Sequence, residues 1–170
     1  MFFRASRSLS LVAPILVMGL FGASHVKAAT QTDNFDVTAT IIASCTITAN
    51  DLSFGNYDPL AATALDQTST IDVTCSNGAD YDIQLSGGIS ADVTARTMDD
   101  DATGGFTLNY SLFTDAARTN NWGVTNGTDT YQGTGTGSAQ TITVYGRIPA
   151  GQTTPPIGAY TDTITATIEY

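Results

Sequence analysis

The 170-residue chain has few basic residues, one histidine and two cysteines. It contains six Lys and Arg in all, against 16 Asp and Glu. One histidine and two cysteines do not make up the ligand set of a typical zinc site. A strongly acidic chain repels nucleic acid and anionic lipid headgroups. We therefore predict neither a nucleic-acid partner nor membrane insertion, and no cofactor.

The sequence also lacks an apolar run of membrane-spanning length. Its longest run, residues 9–21, is about 13 residues against the roughly 20 that a spanning helix needs, and it contains Pro14. Arg4 and Arg7 precede this run, and the small-residue stretch "VKAA" follows it. This order favours a cleaved secretory signal peptide over residues 1–29 rather than a membrane anchor.

Removal of this leader leaves residues 30–170, a length that suits one domain. The only histidine and the only lysine leave with the leader. The remaining chain has 16 acidic residues and only three basic ones, Arg96, Arg118 and Arg147. Its net charge is therefore −13. No serine has a candidate base, so we predict that the protein is not an enzyme.

The two cysteines are Cys45 and Cys75, an even number in an exported chain, which favours a disulfide. The alternative is a metal-binding pair. That site would need two more ligands in a mature chain that has no histidine.

Alternation of apolar and polar residues dominates the exported chain and predicts strands, whereas no convincing helix is present. Six or seven such segments, separated by turn sequences, predict antiparallel sheets in an immunoglobulin-like β-sandwich. The side chains predicted to face the core are Ile71, Val73, Cys75, Tyr81, Ile83, Leu85, Phe106, Leu108, Tyr110, Leu112, Ile142, Val144, Gly146, Ile148, Ile164, Ala166, Ile168 and Tyr170.

The alternation over residues 35–49, "FDVTATIIASCTITA", is too long for one sandwich strand. Fifteen residues would span about 50 Å, whereas a domain of this size is about 37 Å across. We interpret the segment as two strands in tandem, of which "ASCTITA" belongs to this domain. The first half, "FDVTATI", is either a donor strand for the open sheet edge of another copy or an ordinary edge strand of this domain. A donor strand would create a head-to-tail contact, which builds filaments.

Several blocks of the exported chain resemble the spore coat protein U domain family, the pilin fold of archaic (Csu-type) chaperone–usher pili. The blocks that carry the resemblance are "ATIIASCTI", "LSFGNYDPL", "IDVTCSNGADYDIQLSGG", "LNYSLFTDAARTNNWG" and "VYGRIPAGQTTPPIGAYTDTITATIEY".

The resemblance implies an incomplete immunoglobulin-like sandwich that a donor strand from a neighbouring subunit or a chaperone completes. It implies a donor extension over residues 30–42 and a sandwich over residues 43–170. The implied partners are a periplasmic chaperone, an outer-membrane usher and other pilin subunits, and the implied location is a surface pilus. The implied residues are Phe35, Val37, Ala39 and Ile41 in the donor strand, Ile164, Ala166, Ile168 and Tyr170 beside the groove, and Cys45–Cys75 as the disulfide. Ile42 is apolar at a position where the alternation calls for a polar residue. The sequence therefore does not fix the register of the donor strand to better than one residue.

Four other features have weaker functional interpretations. Asp99–Asp101 resembles a calcium loop in composition, but its spacing favours a solvated acidic turn. Trp122 is a candidate sugar platform, although core packing is the preferred interpretation. Arg118 is expected to pair with Asp115 or brace a loop. Asn126 begins a glycosylation motif that we expect to be idle.

Three functions follow from these observations. The first is a pilus subunit that polymerises by donor-strand exchange and supports adhesion and biofilm formation. The second is a monomeric secreted carbohydrate-binding sandwich that uses Trp122. The third is a spore or cell coat protein of the same fold.

Overall fold

The computed structural model describes residues 27–100 and 105–170. The chain divides into two units, residues 1–39 and 40–170. The described part of the first unit, residues 27–39, is exposed and forms no helix or strand. Most of the predicted signal peptide lies outside the described residues. Within the described ranges, no helix is long and apolar enough to cross a membrane.

The second unit is built from strands, as its content of Thr, Val, Ile and Tyr favours. One 3₁₀ turn, Gly88–Ser90, interrupts them. The strands are β1 (Cys45–Ala49), β2 (Leu65–Cys75), β3 (Asp80–Leu85), β4 (Arg96–Asp100), β5 (Thr107–Phe113), β6 (Tyr131–Thr134), β7 (Ala139–Ile148), β8 (Tyr160–Thr161) and β9 (Ala166–Glu169). The predicted all-β class is confirmed.

The strands form two antiparallel sheets. One has six strands in the order β1-β2-β7-β5-β4-β8, and the other has three in the order β6-β3-β9. β5 changes partner along its length, because its first residues pair with β4 and its last three pair with β7. The larger sheet therefore continues around a bend.

The core contains most of the side chains that the alternation predicted. Buried apolar residues come from both sheets: Ile71, Val73, Cys75, Tyr81, Ile83, Leu85, Leu108, Tyr110, Leu112, Ile142, Val144 and Ile148, together with Trp122. Phe106 is an exception. It precedes β5 and is 44% exposed, so the prediction that it faces the core is wrong.

The strands differ from the sequence prediction in several places. The predicted last strand, "DTITATIEY", is shortened to β9, and the short strand β8 before it was not predicted. β2 begins at Leu65 and is longer than the predicted "STIDVTC". β4 was not predicted, because its sequence, "RTMDD", does not alternate between apolar and polar residues. The stretch "YQGT", predicted as part of a flexible loop, forms β6 because its residues pair with β3.

Cys45 and Cys75 form a disulfide between β1 and β2, as predicted. They lie opposite each other in the register, and their Cα atoms are 4.1 Å apart. Ser76 N donates to Ser44 O at 2.9 Å, so the residues next to the two cysteines form a hydrogen-bonded pair of the ladder. Because hydrogen-bonded and non-bonded pairs alternate, Cys45 and Cys75 form a pair without main-chain hydrogen bonds between them. Pairs of this kind bring side chains closest, which suits the disulfide.

The paired substitution Cys45→Ser and Cys75→Ser is expected to lower the free energy of unfolding by about 3.5 kcal/mol, because the bond closes a loop of 30 residues in the unfolded chain. Urea denaturation measures the loss. Dithiothreitol should bring the parent to the midpoint of the variant and leave the variant unchanged. Equal midpoints of parent and variant without reductant would contradict the prediction.

Candidate functional site: an apolar groove beside an open strand edge

Two neighbouring strands each have an open edge. β1 ends the order of the larger sheet, β9 ends the order of the smaller one, and these two strands contact each other. Within the described residues, each of them pairs with a strand on one side only. An open edge exposes N–H and C=O groups that can pair with a further strand.

Alternate residues of β9 direct their main-chain groups to this edge. Leu85 N donates to Gly123 O at 2.9 Å, so the main chain of Leu85 faces away from its register partner, Ala166. Because hydrogen-bonded and non-bonded pairs alternate along an antiparallel ladder, the main chains of Ala166 and Ile168 face the open edge. Their side chains are half-buried. β9 thus offers main-chain hydrogen bonds along its open edge and half-buried apolar side chains on one face of the strand.

A groove of about 1090 Å³ opens between the chain that follows β1 and the chain that leads into β9. One wall is residues 49–57, and the other is residues 155–164 with Ala166. The floor is apolar and comes from five strands: Ile71, Leu85, Met98, Leu108, Leu112, Val144 and Ile148, with Tyr110. An apolar groove bounded by strand edges suits an extended chain whose alternate side chains are apolar.

The first wall packs closely on β7 because position 146 is glycine. A Cβ atom on Gly146 would lie 2.8 Å from Phe54 Cζ and 2.9 Å from Leu52 Cδ1, which is closer than packed carbon atoms approach. Phe54 also lies edge-on to Tyr110, with ring centroids 6.2 Å apart. Leu52 and Phe54 therefore belong to the groove. The only sequence signal for them is the "LSFGNYDPL" block of the family resemblance.

The predicted donor residues lie outside every strand. Phe35 is 85% exposed, Val37 is 84% exposed and Ile41 is 94% exposed. Ala39 is also exposed, as is Ile42. The alternating apolar side chains of this segment are therefore available to solvent.

The predicted groove residues divide into two groups. Ile164 and Ala166 line the groove, and Ile168 is half-buried opposite Ile83. Tyr170 follows β9 and is 59% exposed. The prediction that Tyr170 faces inward is wrong, because the strand pairing ends at Glu169.

Comparison with known proteins gives the family. The profile described as Spore Coat Protein U domain matches residues 31–167. The chain belongs to this family. No curated protein matches it significantly.

One solved structure of a chaperone–usher pilus complex contains a chain with a similar fold. A chain in the crystal structure of the CsuC–CsuE chaperone–tip adhesion subunit pre-assembly complex, from archaic chaperone–usher Csu pili of Acinetobacter baumannii, matches with a TM-score of 0.57 and 23% identity. The match covers 77% of this chain but only 41% of that one. The E. coli Hda pilus minor tip subunit HdaB is more distant: its TM-score is 0.37 and its identity 12%, over 73% of this chain and 78% of its own. The fold is an incomplete immunoglobulin-like sandwich.

This chain contains a buried arginine that no sequence motif indicates. Arg96 is 0% exposed, and its guanidinium donates to four carbonyl oxygens at 2.7–2.9 Å: Leu85, Ser86, Val93 and Trp122. Burial lowers the pKa of Arg96, and the nearby Tyr110 and Asp162 act against that shift. The Arg96 side chain ties the end of β3 to two loops.

The described part of the acidic stretch, Asp99 and Asp100, is not a solvated turn. Asp99 and Asp100 lie in β4, and Asp100 is only 4% exposed. Asp101 lies outside the described residues. Among residues 27–100 and 105–170, no group of three or more His, Cys, Asp or Glu side chains is placed to hold a metal ion.

The remaining candidate residues have structural contacts. Trp122 is 0% exposed, and its Nε1 donates to Ile83 O at 2.7 Å, so it is a core residue, as preferred. Arg118 pairs with Asp66 at 3.4 Å rather than with the Asp115 carboxylate. Asn126 is held by side-chain hydrogen bonds to Gln84 and Glu169.

Proposed function

We propose that this chain is a structural, non-enzymatic subunit of an extracellular pilus, assembled by the chaperone–usher pathway through donor-strand exchange. The observation that carries the proposal is the apolar groove beside the open edge of β9, between residues 49–57 and residues 155–164. Membership of the Spore Coat Protein U domain family and the fold shared with a Csu pilus protein support it.

In the proposed mechanism, the groove receives a strand twice. A periplasmic chaperone lends the first strand, which covers the floor while the subunit crosses to the outer-membrane usher. Phe35, Val37, Ala39 and Ile41 of the next subunit then replace it. The donor strand would pair with the open edge of β9 at Ala166 and Ile168, and its apolar side chains would contact the floor.

Burial of the three large donor side chains would contribute about 5–9 kcal/mol of apolar free energy before the costs of ordering and association are subtracted. This magnitude suits a joint that opens slowly. Pili built from such joints would support adhesion and biofilm formation at the cell surface.

The lectin-like alternative loses its main support, because the Trp122 side chain is fully buried. A coat protein of the same fold would assemble by the same contacts. The location of the assembled fibres, in a pilus or in a coat, would therefore distinguish the two functions.

A peptide of residues 30–42 is expected to raise the melting temperature of the exported chain with Val37→Asp, whose own segment should not compete for the groove. At a peptide concentration 100 times its Kd, the stabilisation would be about 2.7 kcal/mol, which corresponds to about 10 °C for a domain of this size. Differential scanning fluorimetry measures the shift. The control is the same peptide with Val37→Asp. A shift no larger than the control gives would mean that the groove does not accept this strand.

A further inference from the structure

Asp162 occupies the point where the chain passes from one sheet to the other. β8 belongs to the six-stranded sheet and β9 to the three-stranded sheet, and residues 162–165 connect them. The half-buried Asp162 side chain also lines the groove. Asp162 therefore belongs to the second wall of the groove.

The Asp162 carboxylate accepts three hydrogen bonds from three parts of the chain. Tyr110 Oη donates to Oδ2 at 2.6 Å, from β5. Ile89 N, in the 3₁₀ turn, donates to Oδ1 at 2.9 Å, and Thr163 N donates to Oδ1 at 2.7 Å. Burial and the bond to Asp162 raise the pKa of Tyr110 well above its ordinary value, so its hydroxyl remains a donor. These bonds fix the crossing segment to both β5 and the 3₁₀ turn.

Gly88 makes room for this contact. Its φ is +62°, and a Cβ atom at this position would overlap the Asp162 carboxylate. Any other residue at position 88 would move the carboxylate away from Ile89 N. Gly88 is therefore needed for the contact between Asp162 and the 3₁₀ turn, and so for the position of the groove wall.

The other end of the crossing segment is held by the buried arginine. Arg96 Nε donates to Ser86 O at 2.9 Å. Ser86 N donates to Thr165 O at 3.0 Å, and Thr165 N donates to Ser86 Oγ at 2.9 Å. The segment is therefore held at Asp162 and at Thr165, with the groove residue Ile164 between them.

We propose that Asp162 is a positioning residue of the acceptor groove: its hydrogen bonds to Tyr110 and Ile89 set the wall against which a donor strand pairs, so that it controls donor affinity. This inference depends on the proposed function. Asp162 is itself part of the second wall, and the proposed role does not require its side chain to contact the donor.

The test uses the full exported chain with Val37→Asp, so that its own segment does not compete, and a peptide of residues 30–42 measured by titration calorimetry. Adding Asp162→Asn keeps the shape of the side chain but replaces one acceptor oxygen with an N–H donor group. We expect the Kd of the peptide to rise at least tenfold. Amide hydrogen exchange at Ile164–Ile168 should quicken in the same variant.

Asp115→Asn is the matched control. The Asp115 carboxylate also accepts loop hydrogen bonds, from Thr119 and Asn120, and it does not line the groove. We expect it to lower the melting temperature without changing the Kd. Tyr110→Phe removes one of the three bonds to Asp162 and should raise the Kd about threefold.

The outcomes separate the two proposals. A parent chain that does not bind the peptide would overturn the proposed function and this inference with it. A parent that binds, with an unchanged Kd in Asp162→Asn, would overturn only the role of Asp162. If Asp162→Asn does not fold, an unchanged Kd in Tyr110→Phe would overturn the inference in its place.

Discussion

Val37→Asp is expected to stop fibre assembly while leaving the subunit folded. Val37 is 84% exposed in the subunit, so the substitution costs the isolated chain little. In the proposed joint, the same side chain would lie on an apolar floor. Loss of valine burial, about 1.5–3 kcal/mol, adds to the cost of burying an unpaired carboxylate. Together they should weaken the joint by at least 100-fold, as measured by light scattering and electron microscopy of purified subunits.

Thr38→Asp is the matched control for this prediction. It adds the same charge one residue along, on the opposite face of the strand, where it would remain in solvent. Assembly of Thr38→Asp at the parental rate, with no assembly of Val37→Asp, would support the donor assignment. Normal fibres from Val37→Asp would contradict it. A comparison of Ile41→Asp with Ile42→Asp would then fix the register.

Arg96→Met is expected to lower the free energy of unfolding by about 3–5 kcal/mol. Methionine fills similar volume but has no hydrogen-bond donor, so four carbonyl groups would lose their partner in the interior. Domains of this kind are stable by only about 5–15 kcal/mol in total. Urea denaturation measures the loss, and a fall in the yield of folded protein should accompany it.

Arg147→Met is the control for the loss of a positive charge. Arg147 binds Asp66 through two hydrogen bonds, of 2.7 and 2.8 Å, but its side chain is 37% exposed. Exposed ion pairs contribute about 0.2–1 kcal/mol, so this variant should lose less than about 1 kcal/mol. Equal losses in the two variants would show that charge, rather than the buried hydrogen bonds, determines the effect.

The sequence predicts the strands that alternate and misses those that do not. Ile71, Val73 and Cys75 are buried on one face of β2, because a period of two is imposed by the geometry of a strand with one face in the core. β4 escapes prediction because it begins with Arg96 and ends with Asp100, two buried charged residues. Their burial depends on carbonyl groups and side chains from distant parts of the chain, which no local pattern encodes.

The groove is only partly predictable for the same reason. The alternation predicts that Ile164 and Ala166 face inward, and the family resemblance implies that they lie beside the groove, which both of them line. Leu52 and Phe54 line the groove without belonging to any strand, and Asp162 lies in a crossing between sheets. Contacts of this kind arise from the path of the chain in three dimensions. The resemblance to a family pointed to the right blocks without giving their contacts.

The pairing of β2 with β7 has a consequence for the speed of folding. Leu65 lies opposite Ile148, and Thr74 lies opposite Ala139, so this long ladder joins segments about 65–85 residues apart. Chain entropy has to be lost over that distance before the ladder forms, which makes such topologies slow to fold, on the scale of milliseconds to seconds. The unfolded polypeptide therefore passes through a period in which its strands are unpaired and prone to aggregate. Protection during that interval would matter as much as completion of the finished subunit.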